Sequence, residues 1–374
     1  MLPYTGDYTE HIDPEKPNLT FYSFTPRPLM CGGMYQMDDE LAALLIEAHR
    51  NIGFLEGLVE YAPNKEAFAE LMLLKECTYS HMIEYDSPDF KEVLTSRGTG
   101  KGNITPITNL EVAYKAAANL EINAPDLSRI CGIALNGESE NTPIDVRDHQ
   151  TFWLGAKTNL KGYNPTAPDA VLPALADISA YLYNDHNTDP LIKAALVHYQ
   201  FEMIHPFERY NGIVGRILVP MVLRDIIGDA RQLICLSEYL YHNKNEYFDL
   251  LQTTQYSGGY VRWIKFFVNA VGQAAKQSAE QLIQYEQAIA EAENRLMHIG
   301  GQSKSVYSVF EYLRRFPITT VSSATKHTGL SFNSVSKAMH FLQEHKFVTQ
   351  IGGGERNRMW EYALISHQLY IDNM

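Results

Sequence analysis

Apolar residues recur every three to four positions along most of the chain, which is the spacing of amphipathic α-helices. The pattern is clearest over residues 38–60 and 64–84, where Ala, Leu, Glu and Lys dominate, and these are strong helix formers. A proline inside a helix removes a backbone hydrogen bond, so Pro220 is expected to kink its helix. We therefore predict a mainly α-helical protein, with further helices over residues 108–124, 168–185, 189–204, 213–226, 243–254 and, with interruptions, 258–295.

Two stretches depart from helical spacing. Residues 1–30 are rich in Pro, Tyr and Thr and end in TPRPLM, so we expect an irregular segment that lies over the helical body. Residues 152–168 hold aromatic side chains and a Gly-Tyr-Asn-Pro turn. This second stretch predicts a small β-hairpin or extended flap between helices.

A Gly300-Gly301 pair separates the body from a tail of different composition. Residues 303–374 carry 8 Lys/Arg and 5 Asp/Glu, a net charge of +3, which leaves −16 for the residues before them. The tail predicts three helices followed by a hairpin, with Gly329 in the turn before the third helix. We expect three parts, namely an N-terminal helical segment (1–100), a core (101–298) and the tail domain (303–374).

The whole chain has a formal net charge of −13 over 374 residues, which opposes general affinity for nucleic acid or anionic membranes. No apolar run approaches the roughly 20 residues that a membrane span requires, and the N-terminus lacks the order of a secretory signal. Four cysteines stand far apart without a Cys-x-x-Cys pair, which disfavours structural zinc and a disulfide framework. A cytoplasmic protein with reduced thiols is expected.

Residues His205 to Arg216, with the sequence HPFERYNGIVGR, follow an apolar helix. Asn211-Gly212 entering the next helix predicts an anion site, because glycine permits close backbone approach and free amides at a helix start point toward phosphate oxygens. Arg216 adds a planar guanidinium that suits a terminal phosphate. The pattern indicates a nucleotide-phosphate cradle.

This loop resembles the signature of the Fic family, His-x-Phe-x-Asp/Glu-Gly-Asn-Gly-Arg-x-x-Arg. His205, Phe207, Asn211, Gly212 and Arg216 match it, and the flanking helices extend the resemblance over about residues 18–290. The resemblance implies a Fic-type helical bundle over the core and transfer of AMP from ATP to a Ser, Thr or Tyr hydroxyl of a protein. In the family the histidine is the general base, a role that suits imidazole near neutral pH.

Further site residues follow from the same resemblance. Tyr247 is expected near the adenine. A purely structural role, as an aromatic residue that packs on the core, is at least as well supported by the sequence. Arg147 matches the arginine before the family's flap, and a structural ion pair is its alternative. The flap, 152–168 here, is expected to dock target proteins by strand addition.

Three positions depart from the signature, because Arg209 replaces the carboxylate, Tyr210 the first glycine and Ile213 the first arginine. The family's carboxylate holds Mg²⁺, and a guanidinium cannot ligate a cation. We therefore expect no usual metal site, since Glu208 would reach the position only if the loop shifted. Arg209 is hypothesised to replace part of the ion's charge, and Tyr210 to narrow the nucleotide site.

Ser80-His81-Met82-Ile83-Glu84 resembles the Ser/Thr-x-x-x-Glu inhibitory motif of Fic proteins, with Tyr85 where Gly or Asn is usual. Ser80 and Glu84 would share one helix face at i, i+4 spacing. In the family the glutamate pairs with the second loop arginine and obstructs the γ-phosphate. The resemblance implies a Glu84–Arg216 pair and an inhibited resting state.

The tail resembles a winged helix-turn-helix, with residues 331–346 as the recognition-type helix and 352–358 as the wing tip. Its segment 331–358 would place Ser334, Lys337 and His340 toward a DNA groove and Arg356 and Arg358 on phosphates. A net charge of +3 is a thin basic field, so protein contacts or homodimerisation are the favoured use.

Three functions stay open from the sequence. The leading one is an ATP-dependent adenylyltransferase restrained by Glu84, which requires a functional loop. Arg209 and Ile213 favour a catalytically impaired nucleotide-sensing or DNA-binding regulator instead. The third is removal of AMP, because the family can use the inhibitory glutamate to position water.

Overall fold

A computed structural model represents the protein, and its mainly helical architecture agrees with the apolar spacing of the sequence. It describes residues 4–12, 20–138, 143–151, 164–228, 230, 233–299, 303–352 and 358–370. One buried apolar core runs through the helices of the body and continues into the tail. Among the described residues, no helix is long and apolar enough to cross a membrane.

The expectation of an irregular N-terminus is wrong, because residues 1–30 contain an antiparallel β-hairpin. Strands β1 (Gly6–Ile12) and β2 (Thr20–Pro26) pair in register from Gly6 opposite Pro26 to Ile12 opposite Thr20. The two strands are rich in Thr, Tyr and Phe, which favour a pleated, half-buried surface. Pro26 and Pro28 of the TPRPLM stretch lie at the end of β2 and beyond it, where they remove no hydrogen bond inside the ladder.

Three helices follow, α1 (Asp39–Tyr61), α2 (Lys65–Glu84) and α3 (Phe90–Thr99). The side chain of Asp38 accepts a hydrogen bond from the Leu41 amide and caps α1. Helix α2 buries nearly all of its second half, so Ser80 lies inside the protein and Glu84, at the end of the helix, reaches its edge.

The prediction of one helix over 108–124 is wrong in its bounds, because two helices, α4 (Thr105–Ala117) and α5 (Ala124–Asn136), divide this region. The Asn123 side chain accepts a hydrogen bond from the Asp126 amide. Asn123 is therefore the N-cap of α5 and marks a helix start that the continuous apolar pattern conceals.

The predicted helices that lead into the loop are present as α6 (Pro168–Asn184) and α7 (Pro190–Ile204). After the loop come α8 (Asn211–Val222) and the short α9 (Arg224–Ile227). The helix predicted over 213–226 is wrong in its bounds, because α8 begins two residues earlier, continues past Pro220 and ends at Val222, and α9 follows as a separate short helix.

The body ends with α10 (Leu236–His242), α11 (Lys244–Ser257) and α12 (Tyr260–His298). Helix α12 is continuous, so the interruptions expected in it are absent. It packs along α1, and Gly272 makes the approach close, since a Cβ there would lie 2.9 Å from the Ala48 Cβ. Asn51 donates a hydrogen bond to the Gly272 carbonyl at 3.2 Å in the same contact.

The tail contains the three helices predicted for it, a fourth helix at its end that was not predicted, and three short strands. In chain order its elements are α13 (Lys304–Arg315), β3 (Ile318–Thr320), α14 (Val321–Thr328), α15 (Phe332–Glu344), β4 (Thr349–Ile351), β5 (Met359–Glu361) and α16 (Ala363–Tyr370). Strand β5 lies between β3 and β4 and is antiparallel to both. Gly329 ends α14 with φ +68°, a left-handed conformation that glycine adopts without strain. Residues 353–357 of the expected wing tip, Arg356 among them, lie outside the described residues.

The tail packs on the N-terminal helices rather than standing apart. Arg314 donates to the Asn64 side chain at 2.8 Å, and Arg315 forms an ion pair with Glu70 at 2.7 Å. Thr319 donates to the carbonyl of Gly98, where any Cβ would clash with the Ile318 carbonyl. The tail therefore contacts α3 and the start of α2, the helix whose far end carries Ser80 and Glu84.

Candidate functional site

His205 lies at the end of α7, where the chain turns sharply into the loop. Its backbone is left-handed, with φ 51°, and its amide donates to the Phe201 carbonyl at 2.9 Å. Burial lowers the pKa of the His205 imidazole to about 4, so the ring is neutral at pH 7. A neutral imidazole retains a ring nitrogen that can accept a proton.

Arg147 holds the start of the loop, and its guanidinium is 5% exposed. Nε donates to the His205 carbonyl at 2.7 Å, Nη1 to the His149 carbonyl at 3.0 Å and Nη2 to the Ile204 carbonyl at 3.1 Å. Nη2 also donates to the Thr166 carbonyl. The side chain therefore satisfies carbonyls at the end of α7, which have no partner inside the helix. Among the described residues, these contacts are hydrogen bonds to carbonyls and not the structural ion pair that was the alternative for Arg147.

The flap predicted over 152–168 lies largely outside the described residues, and only its last part can be placed. Asn164 donates to the Tyr22 carbonyl at 2.9 Å, and Thr166 donates to the Phe24 carbonyl at 3.0 Å. The N-terminal hairpin thus anchors the chain that leads out of this segment into α6.

Asn211 closes the loop from within. Its Oδ1 accepts from the Phe207 amide at 2.8 Å, and its Nδ2 donates to the Phe207 carbonyl at 2.7 Å. The side chains of Asn211 and Phe207 are both buried. The amide of Asn211 therefore shapes residues 207–211 instead of reaching into the cleft, and any contribution to anion binding would come from the backbone at the start of α8.

Asn211→Ala is expected to lower the free energy of unfolding by about 2 kcal/mol, because it leaves the buried amide and carbonyl of Phe207 without partners. Urea unfolding followed by circular dichroism measures the change. Asn184 is a matched control, since its exposed side chain bonds only the Ala180 carbonyl, and Asn184→Ala should cost under about 0.5 kcal/mol. Equal losses from the two variants would contradict the bracing role of Asn211.

Tyr210 stands at the N-cap of α8 with φ 63°. A left-handed backbone is uncommon for a bulky side chain, and the family's glycine at this position would adopt it without strain. Aromatic contacts hold the ring, whose centroid lies 5.4 Å from that of Tyr85 and 6.4 Å from that of His81. The two departures from the family pattern, at 85 and 210, therefore contact each other across the loop and α2.

Arg216 and the end of α2 form the central contact of the site. Nε of Arg216 donates to Ser80 Oγ at 2.9 Å, and Nη2 donates to the Ser80 carbonyl at 2.8 Å and to Glu84 Oε1 at 2.6 Å. Burial alone would lower the pKa of Arg216, but Glu84 and neighbouring groups outweigh it and raise that pKa. The sequence-predicted pair between Glu84 and Arg216 is present in the structure.

Glu84 also covers the first turn of α8. A Cβ built on Gly212 would lie only 2.1 Å from Glu84 Oε1, so a residue with a side chain at 212 would displace the carboxylate. Helix starts attract anions. The Glu84 carboxylate thus lies at the place predicted for a phosphate.

Comparison with known proteins identifies this arrangement. Residues 121–223, which include Arg147 and the whole loop, match the model of the Fic/DOC family. A Fic family protein from Desulfovibrio desulfuricans G20 superposes on 88% of this chain and 98% of its own, with a TM-score of 0.57 and 15% identity, and so shares the fold. The chain thus contains a Fic/DOC family domain over residues 121–223.

Curated relatives within the family match shorter stretches. Over 64 residues the chain is 39% identical to Protein adenylyltransferase fic-1 of Caenorhabditis briggsae, covering 16% of this chain and 12% of that protein. Over 83 residues it is 35% identical to Probable protein adenylyltransferase aq_aa38 of Aquifex aeolicus (strain VF5), covering 22% and 24%. The matches thus span about an eighth to a quarter of the relatives' length.

The Fic loop and the end of α2 line an open cleft of about 890 Å³. Glu84, His205, Arg209, Gly212 and Arg216 border it, together with Lys244 and Tyr247 of α11. Its volume is within the range of small-molecule sites. The cleft therefore brings together the predicted base, the predicted phosphate ligands and the predicted inhibitory glutamate.

The described residues of this Fic domain contain no group of three or more His, Cys, Asp and Glu side chains that could hold a metal ion. Glu208 and Arg209 are both exposed on the loop. The residues present do not fit a magnesium ion held in the family's manner, because a guanidinium occupies the carboxylate position.

Beneath Arg216 lies a buried layer that the motif analysis missed. His198 Nδ1 lies 2.8 Å from the Gly215 carbonyl and Nε2 lies 2.8 Å from the Tyr247 hydroxyl. Burial lowers the pKa of His198 to about 3, so the ring is neutral. Its Nδ1 donates to the carbonyl, and its Nε2 accepts from Tyr247. Tyr247, 1% exposed, thus supports the site from below, and the adenine contact expected of it stays a prediction.

Glu202 is a second buried carboxyl in the same layer. It is 2% exposed and lines the cleft. Gly215 makes room for it, since a Cβ there would lie 2.5 Å from Glu202 Oε1. It is also the only acidic residue within α7. A single acid in a mostly apolar helix is the signal that could have identified it.

Proposed function

We propose that this Fic protein is a protein adenylyltransferase restrained by its own Glu84. The observation that carries the proposal is the Glu84–Arg216 contact of 2.6 Å over the start of α8. The carboxylate occupies the expected phosphate position and uses the guanidinium that would otherwise bind the γ-phosphate. The names of the curated relatives support ATP as the nucleotide.

The proposed reaction needs Glu84 to leave Arg216 before ATP binds productively. The amides at the start of α8 and the Arg216 guanidinium would then hold the phosphates. His205 would take the proton of a target hydroxyl as its oxygen attacks the α-phosphorus, and pyrophosphate would leave. Because the pKa of His205 lies near 4, the imidazole is unprotonated and ready to accept that proton at neutral pH.

Arg209 is proposed to supply positive charge beside the phosphates in place of a metal ion. It borders the cleft and is exposed, so it is free to move toward a bound nucleotide. A guanidinium pairs with phosphate oxygens through two parallel hydrogen bonds. On this proposal, transfer continues when divalent cations are chelated and stops in Arg209→Ala.

Glu84→Gly is expected to raise AMP transfer at least about tenfold, because it frees Arg216 and the α8 amides. The measurement is incorporation of label from α-labelled ATP into the protein itself and into a cell lysate, with and without Mg²⁺. The double variant Glu84→Gly/His205→Ala is the control and should lose the label. Absence of label in Glu84→Gly would overturn the transferase proposal.

A nucleotide-sensing regulator is the second candidate, and two observations favour it. Arg209 occupies the metal-ligand position, and the tail contacts the start of α2, which ends at Glu84. ATP binding by Glu84→Gly without label transfer would support this candidate. Removal of AMP is a further outcome of the same test, seen as loss of label from a premodified lysate that depends on Glu84.

Residues 303–374 are proposed to form a winged helix that makes protein contacts, including those of a homodimer. Two of the groups expected to face DNA, Ser334 and His340, are engaged within the domain. Ser334 pairs with the helix cap Ser331 at 2.9 Å, and His340 packs edge-on against Trp360 at 5.5 Å. Lys337 is exposed, so this helix offers a limited basic surface to phosphates.

A further inference from the structure

Glu202 lies deeper in the cleft than Glu84. Its side chain projects from the last turn of α7, next to Gly215 of α8 and three residues before His205. Glu84 pairs with the Arg216 guanidinium from α2, and its side chain is 24% exposed, whereas Glu202 is 2% exposed. The two carboxyls therefore border the same cleft as Arg216 in different surroundings, one near water and one away from it.

The groups that face Glu202 from each neighbouring element explain its protonation state. Glu84 of α2 adds negative charge, Arg216 of α8 adds positive charge, and the buried Tyr247 of α11 is neutral. His198, in its own helix, is also neutral, with Nε2 3.9 Å from Glu202 Oε1. Burial is the largest effect, Glu84 adds to it, Arg216 opposes it, and together they raise the pKa of Glu202 to about 8.

We infer that Glu202 is a phosphate-binding acid of the nucleotide site, which holds a proton and donates it in a hydrogen bond to a phosphate oxygen beside Arg216. The inference rests on the proposed binding of ATP in the cleft. A triphosphate that replaces the Glu84 carboxylate brings more negative charge to the same place. An ionised Glu202 would repel it, whereas the acid form both avoids repulsion and offers a donor.

ATP binding should then be coupled to protonation of Glu202. Below pH 7 Glu202 already carries its proton, so binding takes up none there. Near and above pH 8 the carboxyl is partly or mostly ionised, and the triphosphate raises its pKa further, so binding must draw a proton from solvent. ATP affinity should therefore fall as the pH rises through 8, by about fivefold or more between pH 7.5 and 9.0.

The test compares Glu84→Gly with Glu84→Gly/Glu202→Gln in the full chain. Isothermal calorimetry with ATP at pH 7.5 and 9.0, in buffers of different ionisation enthalpy, reports affinity and proton uptake together. The parent variant should lose about fivefold or more in affinity and take up about half a proton or more at pH 8. Glutamine keeps a hydrogen-bond donor at every pH. The ATP affinity of the Glu84→Gly/Glu202→Gln variant should therefore change less than about twofold between the two pH values, and this variant should take up fewer protons than the parent.

Two further variants keep the test decisive. Glu76→Gln in the same background is the matched control, because Glu76 is a buried carboxyl that accepts hydrogen bonds from Tyr114 and Ser237 and does not border the cleft. It should retain the parent's pH dependence. Glu202→Ala removes the carboxyl proton without introducing an amide, and it should also abolish the extra proton uptake. This variant replaces Glu202→Gln in the test if the glutamine variant does not fold.

Equal pH dependence and equal proton uptake in the parent and in both Glu202 variants would overturn the inference. So would pH-independent ATP binding by the parent. These results are separate from those on transfer, because binding is measured without turnover. Proton-linked ATP binding without label transfer would contradict the transferase proposal and support the role of Glu202. Label transfer with pH-independent ATP binding would support the transferase proposal and contradict the role of Glu202.

Discussion

Arg147→Ala is expected to lower the free energy of unfolding by about 4 kcal/mol, a large loss for one substitution. The buried guanidinium donates to four backbone carbonyls, and a hydrogen bond to a charged group contributes about 1.5–3 kcal/mol. Alanine leaves the carbonyls at the end of α7 without partners at the point where the chain enters the Fic loop. Water that fills the vacated space should recover only part of the loss.

Guanidinium chloride unfolding at pH 7, followed by circular dichroism, measures the effect. Arg224→Ala is the matched control, because Arg224 donates to the Leu120 carbonyl at 2.7 Å and the Met221 carbonyl at 3.1 Å but is 28% exposed. Its replacement should cost about 1 kcal/mol, since water can take over these bonds. If Arg147→Ala lost no more than Arg224→Ala, the carbonyls would not depend on the guanidinium.

Arg216→Ala is expected to cost about 4 kcal/mol, for a different reason. Arg216 of α8 is the buried cation that contacts the end of α2, and its removal deletes the hydrogen bonds to Ser80 and leaves the charge of Glu84 uncompensated. Breaking a buried ion pair by deleting one partner typically costs 3–5 kcal/mol. The same unfolding experiment applies, with Arg224→Ala again as the exposed control.

A double-mutant cycle separates the ion pair from the remaining contacts of Arg216. Glu84→Ala alone should cost less than Arg216→Ala, because Arg216 keeps its hydrogen bonds to Ser80. We expect a coupling energy of about 2 kcal/mol between the two substitutions. Strict additivity would mean that the Glu84–Arg216 pair contributes nothing to the packing of α2 against the loop.

Much of the helical body was predictable because each helix has one apolar face. Helices α1, α2 and α7 begin and end within one residue of the bounds read from the sequence. Asp38 and Asp189 stand at the starts of α1 and α7, where side-chain caps are favoured. Local spacing and local capping agree at these helices, so no long-range information was needed.

Prediction failed where non-local packing outweighed the local pattern. The Pro-rich N-terminus looked irregular, yet β2 is secured by bonds from Asn164 and Thr166, more than 130 residues later in the chain. Over 108–124, helix-forming residues continued through the turn between α4 and α5. The cap at Asn123 decides that boundary, and one asparagine is a weak signal in a sequence.

The same division applies to the site. By itself, the sequence predicted the Fic-type loop, the candidate base His205 and the pairing of Glu84 with Arg216, because these residues match two motifs of the Fic family. Only the tertiary structure decided that Asn211 braces the loop, that Arg147 satisfies backbone carbonyls, and that Glu202 lies buried beside Arg216. Those roles depend on burial and on backbone partners distant in the chain, and residue types and spacing do not specify either.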